Sequence, residues 1–115
     1  MSHRSHSGVA GRRRRHALVF AALGNRTRLS LVTRLCRGQP RSISELTEGS
    51  RLTRQAITKH LRVLESAGIV HRVHAGRRSL FEFHLEPIAE VRAYLGFVSE
   101  QWDEALSRLK AFVEG

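Results

Sequence analysis

At Gly68 the spacing of the apolar residues changes. Before it, Ile57, Leu61 and Leu64 recur three or four positions apart, the repeat of one helix face. After it, Ile69, His71 and Val73 alternate with Val70, Arg72 and His74, the repeat of a strand. Ala75-Gly76-Arg77-Arg78 interrupts, and Phe81, Phe83 and Leu85 then alternate with Leu80, Glu82 and His84. A helix that stops at a glycine and runs into two strands around a Gly-containing turn predicts a helix followed by a β-hairpin.

The residues upstream supply helix starts and stops. His16 to Leu23 predicts a short first helix closing at Gly24. Asn25 is a good cap for a second helix to Arg37, with Gly38 at the stop. Leu29, Val32, Leu35 and Cys36 recur at helical spacing and are expected to face the core. Pro40 breaks the chain. Ser42-Ile43-Ser44-Glu45 fits a capping box and starts a very short helix to about Glu48. Gly49-Ser50-Arg51-Leu52 is a turn, and Thr53 caps a fourth helix that ends before Gly68. Pro87 suits the first turn of a last helix. The expected class is mainly α with a small β-hairpin. Short helix, Gly-containing turn, longer helix and hairpin is the layout of a winged helix-turn-helix, here with five helices and a two-stranded wing.

A chain of 115 residues holds one core and is too short for two. Residues 16–115 are therefore expected to form one domain. Residues 1–15 are Ser, Gly, His and Arg with little to bury, and predict a flexible basic arm. Its Arg12–Arg15 run is either a solvated tail or a contact to DNA backbone or minor groove.

Charge points to a partner. The chain carries a net +10, and 18 of its 20 basic residues are Arg. Residues 1–15 contribute +5, residues 16–85 contribute +8 and residues 86–115 contribute −3. A basic body suits a polyanion, and an acidic last segment suits some other task. At 100° per residue, the face of the fourth helix opposite Ile57, Leu61 and Leu64 holds Gln55, Thr58, Lys59, Arg62 and Ser66, with Arg54 near its edge. Arg54 or Arg62 can present a bidentate fork to guanine, and Gln55 can do so to adenine. Thr58 and Lys59 can bond phosphates or base edges. Arg77 and Arg78, at the hairpin tip, can reach phosphates or a narrow minor groove. His60 flanks the apolar side and is expected to be a packed, hydrogen-bonded residue.

Three segments also resemble the ArsR family of bacterial repressors. Leu52-Thr53-Arg54-Gln55-Ala56-Ile57-Thr58-Lys59-His60-Leu61-Arg62-Val63-Leu64-Glu65-Ser66-Ala67-Gly68-Ile69-Val70 resembles that family's recognition helix and following strand. Residues 21–29 are similar to its first-to-second helix junction, and residues 76–83 to its wing. The resemblance covers about residues 16–113. Thr53 and Thr58 stand where the family usually has Ser and keep the hydroxyl, so Thr53 joins the DNA-binding candidates. The resemblance implies a homodimeric repressor on an inverted repeat near its own promoter, with the first and last helices forming the dimer interface.

From Pro87 to Val113 one apolar stripe stays in phase on the helical period. A helix of that length is about 40 Å long, more than a domain of this size can cover. Four of the chain's seven aromatics, Tyr94, Phe97, Trp102 and Phe112, sit in this segment. Large aromatics on a long stripe favour a subunit interface, for which Phe20, Val91, Leu95, Val98, Trp102, Leu106 and Leu109 are the candidates. Gly96 weakens the helix by about 1 kcal/mol relative to Ala and marks a place where it can break.

Other functions find little support. Cys36 is the single cysteine, so no intrachain disulfide forms, and it is expected to be a small buried residue, with a redox sensor as the alternative. Metal-sensing members of the family use a Cys pair before the recognition helix, or Asp, His and Glu on the last helix. This chain has no Cys in residues 43–48 and no His in residues 86–115, so no metal or other cofactor is expected. His71 and His74 point to opposite strand faces, which disfavours a shared site with His84. A phosphate loop, paired carboxylates and a Cys/His nucleophile arrangement are missing, so the chain does not read as an enzyme. It lacks the apolar run of about 18 residues of a membrane helix, and the stretch after Arg15 is short for a signal peptide. A cytoplasmic location without membrane contact is expected. The partner is double-stranded DNA, with the effector left open. A nonspecific nucleic-acid-binding or architectural protein is the alternative.

Overall fold

The computed structural model describes residues 2–115, with side chains from Gly8 onward. Met1, and the side chains of residues 2–7 within the expected arm, lie outside the described residues. Along the chain run α1 (Ser2–Leu23), α2 (Arg26–Arg37), α3 (Ile43–Thr47), α4 (Arg54–Ser66), β1 (Val70–Ala75), β2 (Arg78–Phe83) and α5 (Glu86–Glu114). Five helices and one antiparallel hairpin among the described residues make a mainly helical winged helix-turn-helix.

Local chemistry accounts for the helix boundaries. Asn25 Oδ1 accepts from the Arg28 N–H at 3.1 Å and caps α2. Ser42 Oγ accepts from the Glu45 N–H, and Glu45 Oε1 accepts from the Ser42 N–H, each at 3.1 Å, completing the capping box of α3. Thr53 Oγ1 accepts from the Ala56 N–H at 3.1 Å and caps α4. At the far end of α4, Gly68 has φ +76°, a conformation other residues adopt at a cost. Gly76, with φ +63°, opens the two-residue turn that pairs Ala75 with Arg78.

Several positions depart from expectation. The first helix begins at Ser2, not His16, and carries Arg12–Arg15 as exposed helical residues. Val19 and Ala22 anchor its last turns in the core, and from that anchor the helix continues back through Arg12–Arg15. On α2, Leu31 is buried with Val32 and Leu35, whereas Leu29 is half-exposed. Cys36 is exposed, not buried, and its thiol donates to the Thr33 carbonyl at 3.4 Å. The flanking helices and β2 cover only the Leu31–Val32–Leu35 side of α2.

The core gathers one or more residues from every element, and Phe81 on β2 is its largest fully buried side chain. The Arg72 guanidinium stacks over the Phe81 ring, 5.1 Å from its centroid. Arg41, just after Pro40, pairs with Phe81 as a short bridge: N–H to O distances are 3.0 and 2.8 Å in the two directions. That bridge ties the segment before α3 to the wing.

α5 runs unbroken through Gly96. Ile88 and Val91 pack on the core, and Val91 is only 5% exposed. Val91 is among the residues expected at a subunit interface; its own chain covers it instead, because α1 packs along the first turns of α5. Beyond those turns Leu95, Trp102, Leu106 and Leu109 stay roughly half-exposed or more. Among the described residues no helix is long and apolar enough to cross a membrane.

Candidate nucleic-acid interface

The helix-turn-helix is α3, the turn through Gly49 and α4. Arg34 on α2 holds α3 from behind, donating to the Leu46 carbonyl at 2.8 Å and the Glu45 carbonyl at 3.1 Å. Ile57, Leu61 and Leu64 fix α4 by complete burial. The helix cannot roll without exposing them, so its opposite face is held outward.

That face carries Arg54, Gln55, Lys59 and Arg62, all exposed, with Thr58 half-buried among them. These five line one shallow depression of about 300 Å³. The two hydroxyls differ. Thr58 Oγ1 donates to the Arg54 carbonyl at 2.7 Å, so its proton is already used. Thr53 Oγ1 is an acceptor in its cap, so its O–H is left to donate. Ser66 Oγ also donates back, to the Arg62 carbonyl at 2.9 Å.

The wing supplies two further cations. Arg77 is exposed in the turn. Arg78 reaches back, and its Nη2 lies 2.6 Å from Glu45 Oε1. Arg78 and Arg54 thus border a second cleft, between α3 and the wing, of about 450 Å³. The capping hydrogen bonds from Ser42, with Arg78 close by, hold the Glu45 carboxyl below the usual carboxylate range.

His60 lies on the inner flank of α4, as its position suggested. Arg28 Nη1 approaches its Nδ1 at 3.2 Å, while Arg28 Nε donates to the Ala22 carbonyl at 2.6 Å. Burial, and then the Arg28 charge, lower the His60 pKa below its ordinary value. Sequence reasoning missed Arg28 in this role: in a basic chain one more arginine at a helix junction carries no distinguishing signal.

On the outer wing face the His71 and His84 rings stack with centroids 3.9 Å apart, and His84 Nε2 is 3.0 Å from Glu82 Oε1. The stacked pair places His71 beside His84, a proximity that strand alternation between His71 and His74 did not address. Among the described residues no three His, Cys, Asp or Glu side chains gather as a metal site would require.

Residues 23–73 match a family model described as a helix-turn-helix domain. The uncharacterized HTH-type transcriptional regulator YuzN of Bacillus subtilis is 37% identical, over 61% of this chain and 83% of its own. An HTH-type transcriptional regulator of Mycobacterium tuberculosis is 33% identical, over 77% of this chain and 79% of its own. The solved structure of an ArsR-like transcriptional regulator from Rhodococcus sp. RHA1 superimposes with a TM-score of 0.81 at 32% identity, covering 89% of this chain and 95% of that one. This chain belongs to the ArsR family. As an ArsR-family protein it is a transcriptional regulator with a helix-turn-helix DNA-binding domain. Within that winged helix-turn-helix, α4 is the second helix of the helix-turn-helix and the β1–β2 hairpin is the wing.

Proposed function

We propose that this regulator is a sequence-specific repressor that binds an inverted-repeat operator as a homodimer. The supporting observation is the division of α4 into a fully buried apolar face and an outward face of Arg54, Gln55, Lys59 and Arg62. Such a helix presents donors and cations to a major groove in one fixed orientation. Arg54, Gln55 and Arg62 read base edges; Thr53, Lys59, Arg77 and Arg78 hold phosphates. Thr58 is placed among them but contributes through its methyl group, since its hydroxyl is turned to the Arg54 carbonyl.

Pairing uses α1 and the outer two-thirds of α5. Phe20, Leu95, Trp102, Leu106 and Leu109 are each at least 39% exposed in the single chain, with Val98 partly covered beside them. Exposed apolar side chains along several helical turns match the interior of a subunit interface. Two-fold pairing then sets two recognition helices one turn of DNA apart. Such a protein works in the cytoplasm, where the chromosome of a bacterium lies.

Selection of bound duplexes from a random pool tests the proposal. The expected product is a pseudo-palindrome whose half-site centres lie about 10 base pairs, or a multiple of that, apart. A pool that gains no consensus overturns it and supports the nonspecific, architectural reading.

A further inference from the structure

The cleft between α3 and the wing combines the Arg78 guanidinium with the hydroxyls of Ser42, Ser44 and Ser79, and Arg54 borders it. That donor set suits a phosphodiester. One group in the cleft has the wrong charge for it. Glu45 Oε1 already accepts from Arg78 at 2.6 Å, and from the Ser42 N–H at 3.1 Å. We propose that the cleft is a seat for a DNA backbone phosphate, and that the Glu45 carboxylate occupies it in the free protein as an internal stand-in, restraining Arg78 until DNA arrives. The proposal rests on the DNA-binding reading above and adds a regulated step to it.

Three features support the exchange. The ion pair is open to water, with side-chain exposures of 62% for Arg78 and 40% for Glu45, so a phosphate can reach it. An exposed pair of this kind holds weakly and is easily traded for another anion. Glu45 also has an independent anchor in the capping box, so it keeps its place on α3 when Arg78 leaves. The Ser42 amide hydrogen bond that holds it also favours its charged form, so the restraint persists at neutral pH. Arg77, one residue away in the turn, is in no ion pair among the described residues and needs no such exchange. The two wing arginines therefore have different tasks: Arg77 makes first contact, and Arg78 docks only where the backbone comes close enough to displace Glu45.

The test uses the full chain and a fluorescent random-sequence duplex, so that it does not depend on operator specificity. Glu45→Gln keeps a side chain that can serve the capping box while removing the charge. Its affinity for the duplex is expected to rise about two- to fivefold at low salt, the strength of an exposed ion pair. Its plot of log K against log salt is expected to steepen by up to about 0.9, because no freed carboxylate takes up a cation as the phosphate docks. In an Arg78→Ala background the same substitution is expected to lose this gain. The thermal midpoint of each variant, read alongside, confirms the fold. An unchanged affinity and slope for folded Glu45→Gln overturns the proposal, as does a gain undiminished in the Arg78→Ala background. A chain that binds this duplex as expected but selects no consensus from a random pool loses the operator reading while keeping the phosphate seat. A parent chain that binds no duplex at all overturns both.

Discussion

The Arg28 guanidinium lies within 3.2 Å of His60 Nδ1, joining the α1–α2 junction to α4. The same guanidinium donates to the Ala22 carbonyl at 2.6 Å and the Ala21 carbonyl at 3.3 Å, closing the end of α1. One side chain thus sets both the end of α1 and the inner flank of α4. For Nδ1 to accept, the His60 ring must be neutral, with its proton on Nε2.

This relationship predicts a pH dependence. Burial and the Arg28 charge lower the folded-state pKa of His60 below 6.5, the ordinary value. The unfolded chain then binds the proton more readily, so stability rises with pH through the window below 6.5 and is lost as pH falls through it. Thermal melts on either side of that value should show a smaller acid-induced drop for His60→Gln than for the parent. An equal drop would assign the effect to other groups.

Arg28 should matter to stability out of proportion to its place on the surface. Arg28→Ala removes the hydrogen bonds to two carbonyls and a ring nitrogen, and should cost about 2 kcal/mol in urea unfolding. Arg28→Lys should recover only part of that, because a single ammonium cannot span the three acceptors.

The outward face of α4 divides by the kind of loss. Arg54→Ala, Gln55→Ala or Arg62→Ala should each weaken operator binding by about 1–3 kcal/mol and relax the preference at one base position. Lys59→Ala and Arg77→Ala should weaken binding alike on all sequences and lower the salt slope by about 0.9 each. Anisotropy titrations on the operator and on single-base variants separate the two patterns. A uniform loss for an arginine on α4 would make it a phosphate contact.

The two parts of α5 should respond differently. Trp102→Ala or Leu95→Asp should lower the dimer fraction in ultracentrifugation and weaken operator binding together. Undiminished dimer in both variants counts against the α5 interface. Leu61→Ala, by contrast, should cost about 3 kcal/mol of stability, because it opens a cavity in a core where that side chain has no exposure. Val91 belongs with Leu61 and not with Trp102, since its own chain already buries it.

The order of elements and most of their boundaries follow from residues that lie close together along the chain. Asn25, Ser42 with Glu45, and Thr53 bond to amides three residues away, and Gly68 and Gly76 supply positive φ at their own positions. Interactions of that range are legible because both partners lie in one short window. The outward set on α4 was legible for the same reason, since a single helix fixes which residues oppose Ile57, Leu61 and Leu64.

Tertiary structure decided what helical period and residue type left open. Leu29 and Leu31 are both leucines on α2, and only the neighbours of that helix settle that Leu31 is buried. Val91 and Leu95 share one stripe, and only the packing of α5 on the core and on α1 settles where covering stops. Arg28 and His60 are 32 residues apart, and Arg78 and Glu45 are 33 apart. No local pattern distinguishes those two arginines from the chain's other sixteen, because a long, charged side chain finds its partner only after the backbone has brought distant segments together.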